Sequence, residues 1–501
     1  MSRTEHFGSR WGLVLATLGM AVGTGNIWRF PRIAASNGGG TFLVAWVVFL
    51  VLWSVPLMMV EFSFGKSSRK GPVGAFAALA GRGTAWMGGW VAACAILIMF
   101  YYSVVAGWCL RYLLASLTGG LRGVGGVDVD GAGASQAFWN AYSGSLQPLA
   151  THVVALGLAV SVVWFGVRGI ERVAKVLIPT LFCLVVILAI RAVTLPGAGA
   201  GLEFLFSPNW GDLADPGIWI QALTQNAWDT GAGWGLIVAY AVYMKAREDV
   251  PLNAFLIGFG NNSVSLLSGI MVLCTVFAIN PGARDEIVGA TNEGLTFIWM
   301  PRLFDAMPAG RLFMVVFFLA LSFAALTSLI SMMELGTRVL VDRGVGRRAA
   351  VLSIGAAGLV FGAPSALSAT FLLGHQDWAW GVGLMLSGLF FAIGARRFGL
   401  DRLRGEVINA PGADLRVGRW WSFVVGVLVP VEAVVLILWW LVREAAGDSP
   451  GETLHPFTPF GAGTVLVQWA VVLAVLVALN RWLSGSAGKA RDARPTEGEA
   501  S

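Results

Sequence analysis

Charge is scarce in this chain. Only 12% of its 501 residues are Asp, Glu, Lys or Arg, against about 25% in soluble domains. That excludes an ordinary soluble domain. The 34 basic residues outnumber the 28 acidic ones. They gather in alternate loops rather than in one patch, so nucleic acid is not the partner. Cysteine is rare as well. Cys94, Cys109, Cys183 and Cys274 all fall in apolar runs. A disulfide framework or thiolate metal site has no support, and buried free thiols are expected. No zinc-ligand cluster, nucleophile–base pair or phosphate loop occurs in the sequence, which argues against an enzyme.

What the chain does have is apolar surface and glycine: 56% hydrophobic residues and 65 glycines. Apolar windows of spanning length recur from residue 11 to residue 483, the pattern of an all-α polytopic membrane protein. Twelve transmembrane helices are expected, at about 10–34, 40–66, 87–117, 151–167, 173–194, 217–246, 252–279, 310–341, 349–371, 375–396, 419–443 and 462–483. The first is followed by a polar motif inside the membrane and not by a cleavage site, so it is read as a span and not a signal peptide. Residues 118–150, rich in Gly and Ser, read as a long exposed loop. Residues 282–308 read as a partly helical external loop able to dock on a pore mouth.

Lys66, Arg69, Lys70 and Arg82 mark one side, with Arg168, Arg172 and Lys175, Lys245 and Arg247, and Arg338 to Arg419 in the later loops. Basic loops stay in the cytoplasm. Both termini are therefore expected there, in a plasma (inner) membrane protein. Residues 1–9 form a cytoplasmic segment, 10–483 one transmembrane domain, and 484–501 a disordered cytoplasmic tail.

Two spans are interrupted. Residues 19–31 read Gly-Met-Ala-Val-Gly-Thr-Gly-Asn-Ile-Trp-Arg-Phe-Pro. Three glycines and a proline make this helix easy to break at mid-depth. Freed carbonyls cannot face lipid, so the break must line a cavity. The sixth span repeats the oddity: Gln-Ala-Leu-Thr-Gln-Asn-Ala-Trp-Asp-Thr-Gly-Ala-Gly-Trp-Gly at 221–235. Two broken helices at matching places in two groups of five spans point to an inverted-repeat transporter with a midplane site. Repeat one covers about 10–194, repeat two about 217–396, and accessory helices about 419–483.

Gly-Asn-Ile-Trp-Arg-Phe-Pro at 25–31, Asn-Gly-Gly-Gly at 37–40, Pro-Leu-Met-Met-Val-Glu-Phe at 56–62, Tyr101-Tyr102, Leu-Thr-Ser at 326–328 and Gly-Trp-Gly at 233–235 together resemble the neurotransmitter:sodium symporters. The resemblance runs from about Arg10 to Trp440. It implies the bacterial leucine transporter fold, with a 5+5 inverted repeat and broken helices 1 and 6. It implies a sodium-coupled symporter of a small amino acid-like substrate working by alternating access, with two sodium ions, no organic cofactor and the lipid bilayer as its surroundings.

The resemblance also assigns residues. One sodium site would use the Ala21 carbonyl, Asn26, Asn261 and Asp229. The other would use carbonyls of Gly19, Val22 and Ala324 and hydroxyls of Thr327 and Ser328. The substrate carboxylate would meet the amides of Thr24 and Gly25 and the Tyr102 hydroxyl. Its amine would meet carbonyls of Ala21 and near Trp228 and Gly231. Met20, Ile98, Trp228, Trp234, Ser328 and Met332 would line an apolar pocket suited to a neutral apolar or aromatic amino acid. Arg29 and Asp377 would gate the outside. Asp342 and Tyr243 would gate the inside, where the family's usual arginine is replaced by Thr4, beside Arg3, and its tryptophan by Phe7.

The chain departs from the family at the chloride position, where Trp46, Gln225, Asp229 and Ser265 stand. A fixed carboxylate, Asp229, is expected to replace chloride with help from Gln225 and Ser265. A protonated Asp229 that only hydrogen-bonds is the competing reading, and would support proton antiport. Glu61 and Glu334 read as structural anchors. Two other functions stay open: carriage of another small zwitterion or amine, and a transporter-like amino-acid receptor. Met20, at or near the place of an amine-pairing aspartate in monoamine carriers, disfavours the amine.

Overall fold

The computed structural model describes residues 6–121, 133–411, 413–445 and 453–485, and no strand occurs among them. Among the described residues, eight helices are long and apolar enough to cross a membrane. They are Gly40–Ser68 (span 2), Arg82–Thr118 (span 3), Gly166–Val193 (span 5), Val250–Ile279 (span 7), Gly310–Val341 (span 8), Arg347–Leu367 (span 9), Phe371–Phe398 (span 10) and Arg419–Arg443 (span 11). The other four of the twelve fall short of that length for visible reasons. Spans 4 (Gln147–Val163) and 12 (Ala462–Ala478) have 17 residues each, the lower limit for crossing a bilayer. Spans 1 and 6 are broken.

Span 1 begins as Arg10–Ala21, with Ser9 as its cap accepting the Gly12 N–H. The helix stops at Val22, whose backbone is extended (φ −72°, ψ 101°). It resumes as a wide turn, Gly25–Arg29, and then Phe30–Ser36. Pro31 sits in the first turn of that last piece, where its missing N–H costs nothing. Span 6 runs Pro216–Asp229, breaks, and resumes as Leu236–Ala241. Gly231, Gly233 and Gly235 in the break have φ of 70°, 88° and 76°. Only glycine takes that conformation without strain, so these three residues enforce the break.

Glu61 of span 2 reaches into this gap. It is fully buried, accepts the Gly233 N–H at 2.6 Å, and faces the N–H groups of Gly235, Ile237 and Val238. Those donors would otherwise be unpaired, and a negative charge suits the start of a helix. Glu61 is thus a structural anchor. Spans 3 and 8 pack along each other, and spans 5 and 7 flank span 1. The two broken helices end up enclosed by the rest.

Two expectations change. The 118–150 segment is not all exposed loop. Gly133–Ser143 is a helix whose Trp139 stacks on Phe297 at 5.5 Å and meets Trp108 edge-on at 5.0 Å. Aromatic packing against the 294–299 turn draws it in, which the Gly and Ser content concealed. Cys183 is exposed while the other three cysteines are buried, because span 5 turns that face outward. Thr4 and Arg3 lie outside the described residues, as does the expected disordered tail beyond Gly485.

Candidate functional site

The two breaks face each other across a cavity of about 410 Å³. Met20, Ala21, Thr24, Gly25, Tyr102, Trp228, Gly231, Trp234, Ser328 and Met332 all line it. Ile98 does not; it is fully buried in span 3, one turn from Tyr102, and packs behind the wall. The cavity continues past Arg29 and Asp377 to Arg32, Asn292, Glu293, Trp439 and Arg443. It therefore opens on the side opposite the termini.

The pocket's polar end lies at the break in span 1. The Tyr102 hydroxyl oxygen accepts from the Thr24 N–H (3.2 Å) and the Thr24 hydroxyl (3.3 Å). Ser328 also lies within hydrogen-bonding reach of this hydroxyl, whose own proton can be given to an acceptor in the cavity. Gly23 allows this approach. A Cβ there would stand 2.9 Å from Ser328 Oγ and 3.2 Å from the Tyr102 oxygen. A carboxylate fits such a set of donors.

The apolar end is aromatic. Trp228 and Trp234 belong to the two ends of the span 6 break and meet edge to face at 5.7 Å. Trp234 is fixed by donating its ring N–H to Ala227 O. The Arg29 guanidinium lies over Trp228 at 5.1 Å, a cation–π contact. Asp377 accepts instead from Tyr101 (2.9 Å), and no ion pair joins it to Arg29 among the described residues. Trp228 rests on Gly381 of span 10, where a Cβ would come within 2.0 Å of the ring. Gly381→Ala is expected to push the indole into the cavity and weaken ligand binding by at least about tenfold, since overpacking costs about 1–3 kcal/mol. Equilibrium binding by scintillation proximity checks this.

Beside the polar end is a cluster of oxygens. Asn261 Oδ1 faces two backbone carbonyl oxygens, Ala21 O at 3.2 Å and Asp229 O at 3.1 Å. Either the amide is turned over and donates to both, or a cation sits among the three. All-oxygen sets are what a hard cation needs. Asn26 Nδ2 donates to Asn261 Oδ1 (2.9 Å) and Ser265 Oγ (2.8 Å), while Asn26 Oδ1 accepts the Gly23 N–H. Ser265 donates to Asp229 Oδ2 at 2.6 Å. Asp229 Oδ1 is buried without a partner. Gln225 faces Asp229, but its amide makes no hydrogen bond of standard geometry, nor does the Trp46 ring N–H. An isolated buried carboxylate is costly unless a positive charge or donor offsets it. These residues fit a cation.

The second expected ion position lies where span 8 crosses span 1. Thr327 donates its proton to Phe323 O (3.0 Å) and Ala324 O (3.1 Å), which leaves its lone pairs outward. Ser328 Oγ lies 3.4 Å from Met20 O. Gly19 keeps the approach short: a Cβ there would be 3.3 Å from Thr327 Cβ. Thr327 and Gly19 share a small void with Ala16, Ile170 and Ala174, and the Val22 N–H is bonded to Leu18 O.

The side nearest the termini is sealed. Asp342 pairs with Arg338 of its own helix at 2.8 Å and accepts the Gly71 N–H at 2.6 Å. Tyr243 donates to Glu334 Oε1 at 2.7 Å, and Arg347 pairs with Glu334 Oε2 at 2.5 Å. Phe7 packs edge-on against Tyr240 and Tyr243. The Arg347 contact was not foreseen. Its only sequence signal was a basic residue just past the turn that follows Glu334.

A model of the sodium:neurotransmitter symporter family matches residues 4–123 and 143–484. An uncharacterised sodium-dependent transporter, YhdH, of Bacillus subtilis is 33% identical over 86% of this chain and 96% of its own. An uncharacterised sodium-dependent transporter of Methanocaldococcus jannaschii is 28% identical over 96% of this chain and 99% of its own. The crystal structure of MhsT in complex with L-phenylalanine superposes with a TM-score of 0.76 at 29% identity, over 87% of this chain and 99% of that one.

Proposed function

The chain belongs to the sodium:neurotransmitter symporter family, and on that footing we propose that it is a sodium-coupled symporter of a neutral amino acid with a large apolar or aromatic side chain. One observation carries the reading: a carboxylate-sized set of donors, an oxygen cluster and a facing pair of tryptophans border one cavity. The substrate carboxylate would accept from Tyr102 and from the amides of Thr24 and Gly25. Its side chain would lie between Trp228, Trp234, Met20 and Met332. MhsT, 29% identical, is seen with L-phenylalanine, which favours the same size class.

Sodium is cargo here, with two ions per cycle. One would be held by Ala21 O, Asn26, Asn261 and Asp229. The other would lie among Gly19 O, Val22 O, Ala324 O, Thr327 and Ser328. An ion beside the substrate makes each raise the other's affinity. Asp229 supplies the fixed negative charge that makes chloride unnecessary. Arg29 and Asp377 would close over the substrate from outside. Tyr243, Asp342 and their partners would open inside, with both termini in the cytoplasm and the chain in the cell membrane.

The test is uptake into proteoliposomes. An inward sodium gradient should drive accumulation of labelled phenylalanine, and collapsing the gradient should abolish it. Binding that depends on sodium with no accumulation would replace the symporter by a receptor. A thermal-shift screen of twenty amino acids, with and without sodium, ranks substrates, because a ligand stabilises by mass action.

A further inference from the structure

We propose that Glu171 is a positioning residue for transport: it latches the inner end of span 1 against span 5, and its release accompanies inward opening. Its side chain is 8% exposed. Oε2 accepts the Gly8 N–H at 2.8 Å, and Oε1 accepts from Ser9 Oγ at 3.3 Å and from Lys175 Nζ at 2.7 Å. One carboxylate thus holds the residue before the helix cap and the cap itself. It also stands at the start of a helix, where negative charge is favoured.

The fit is built for it. A Cβ on Gly12 would come within 2.1 Å of Oε1, and one on Gly8 within 3.3 Å. Two glycines four residues apart leave room for this carboxylate. This end is also held by Phe7, which is buried edge-on against Tyr240 and Tyr243, and by longer or exposed polar ties. Phe7 N–H reaches Tyr243 O at 3.3 Å, Lys245 Nζ reaches Gly8 O at 3.4 Å, and the Arg10–Asp414 pair is exposed. Above the latch a small void lies between spans 1 and 5 at Ala16, Gly19, Ile170, Val173 and Ala174, closed by Tyr240 of span 6 and by Thr327 and Ile330 of span 8. Atoms lining that void lack contacts on one side, which lowers the cost of parting the seam there.

Lys175 makes the latch reversible. It lies one turn away on the same helix, so the ion pair travels with Glu171 when span 1 leaves. A buried carboxylate stripped of every partner would be costly; this one is not stripped. Loss of Lys175 should therefore bind span 1 more firmly.

The inference rests on alternating access, which sodium-driven uptake by the parent protein tests separately. Its own test is thiol labelling of Ala16→Cys in full-length protein whose four native cysteines are replaced, in inside-out vesicles. Ala16 is 3% exposed and borders the void. Without sodium, Glu171→Gln should label at least about fivefold faster than the parent, and half-protection should need more sodium, as a shifted two-state equilibrium requires. Gly12→Ala, which displaces the carboxylate without removing it, should act in the same direction. Lys175→Met should slow labelling. Parental rates in both Glu171→Gln and Gly12→Ala overturn the proposal, as does labelling that no sodium concentration suppresses. If Glu171→Gln is not recovered folded, Gly12→Ala alone decides.

Discussion

Asp229→Asn is expected to raise the sodium concentration for half-maximal uptake by at least about tenfold in chloride-free gluconate medium, equivalent to about 1.4 kcal/mol. Asp229 is 3% exposed, and its Oδ1 has no partner. Its backbone oxygen belongs to the cluster with Ala21 O and Asn261. Two unit charges about 4 Å apart attract by about 4 kcal/mol at an effective dielectric of about 20, so tenfold is a modest share. Asparagine keeps the shape and can still accept from Ser265, which bonds Asp229 Oδ2 at 2.6 Å. What it loses is charge. Added chloride is then expected to restore part of the uptake in the variant and to leave the parent unchanged. A parent protein that needs chloride would sink the assignment. A variant with parental sodium dependence would leave Asp229 as a neutral hydrogen-bonding acid.

Glu61→Ala is expected to cost more, and in a different currency: folded protein. The fully buried carboxylate accepts the Gly233 N–H at 2.6 Å and faces three further N–H groups. Each buried group left unpaired costs about 1–3 kcal/mol. Alanine strands the Gly233 N–H and removes the carboxylate that the other three face. The melting temperature in detergent should fall by about 5 °C or more for a chain of this size, given a loss of several kcal/mol, with little monodisperse protein on size exclusion. Glu61→Gln should fall between, because its oxygen still accepts one bond while its N–H₂ opposes the other donors. Parental melting and uptake in Glu61→Ala would mean that the span 6 break is held by its glycines alone.

The two broken spans were legible because their cause is local. Glycine at positive φ, as at Gly231, Gly233 and Gly235, carries its reason in its own identity. The cavity followed, since freed carbonyls must line one. Ten of the eleven expected substrate-pocket residues line it. Ile98 does not line it and lies buried one turn from Tyr102, since of two residues one turn apart on a helix face only one need reach the cavity. Contacts between distant segments were less visible. Arg347 with Glu334, and Glu171 with Gly8 and Ser9, join segments whose sequence shows only a charge near a membrane edge. The wide turn in span 2 was hidden altogether. Leu50–Ser54 shifts the register of that span by one residue and contains no glycine or proline, whereas Gly25–Arg29 of span 1 falls in the stretch its glycines already marked. Leu50–Ser54 brings Ser54 within 2.9 Å of the Thr230 hydroxyl, a placement that tertiary packing sets.

The inner half of span 6 buries the side chains of Leu236, Ile237 and Tyr240, but against span 2 and span 10 the chain also comes close through bare backbone. Gly65 of span 2 leaves only 2.4 Å between a built Cβ and Val238 O, and Gly233 would place its Cβ 3.1 Å from the Gly388 Cα. Small residues let helices approach closely, while on another face Tyr240 is keyed to Ser331 at 2.8 Å and meets Phe7 edge-on. Interdigitated side chains must change rotamer before one helix can slip past another; smooth surfaces need not. This half-helix therefore has one smooth side, at Gly65 of span 2, one keyed side, at Tyr240, and a start tied by Glu61. The missing methyl at Gly65 thus sets how closely this half-helix can lie against span 2, a constraint written into a position that binds nothing.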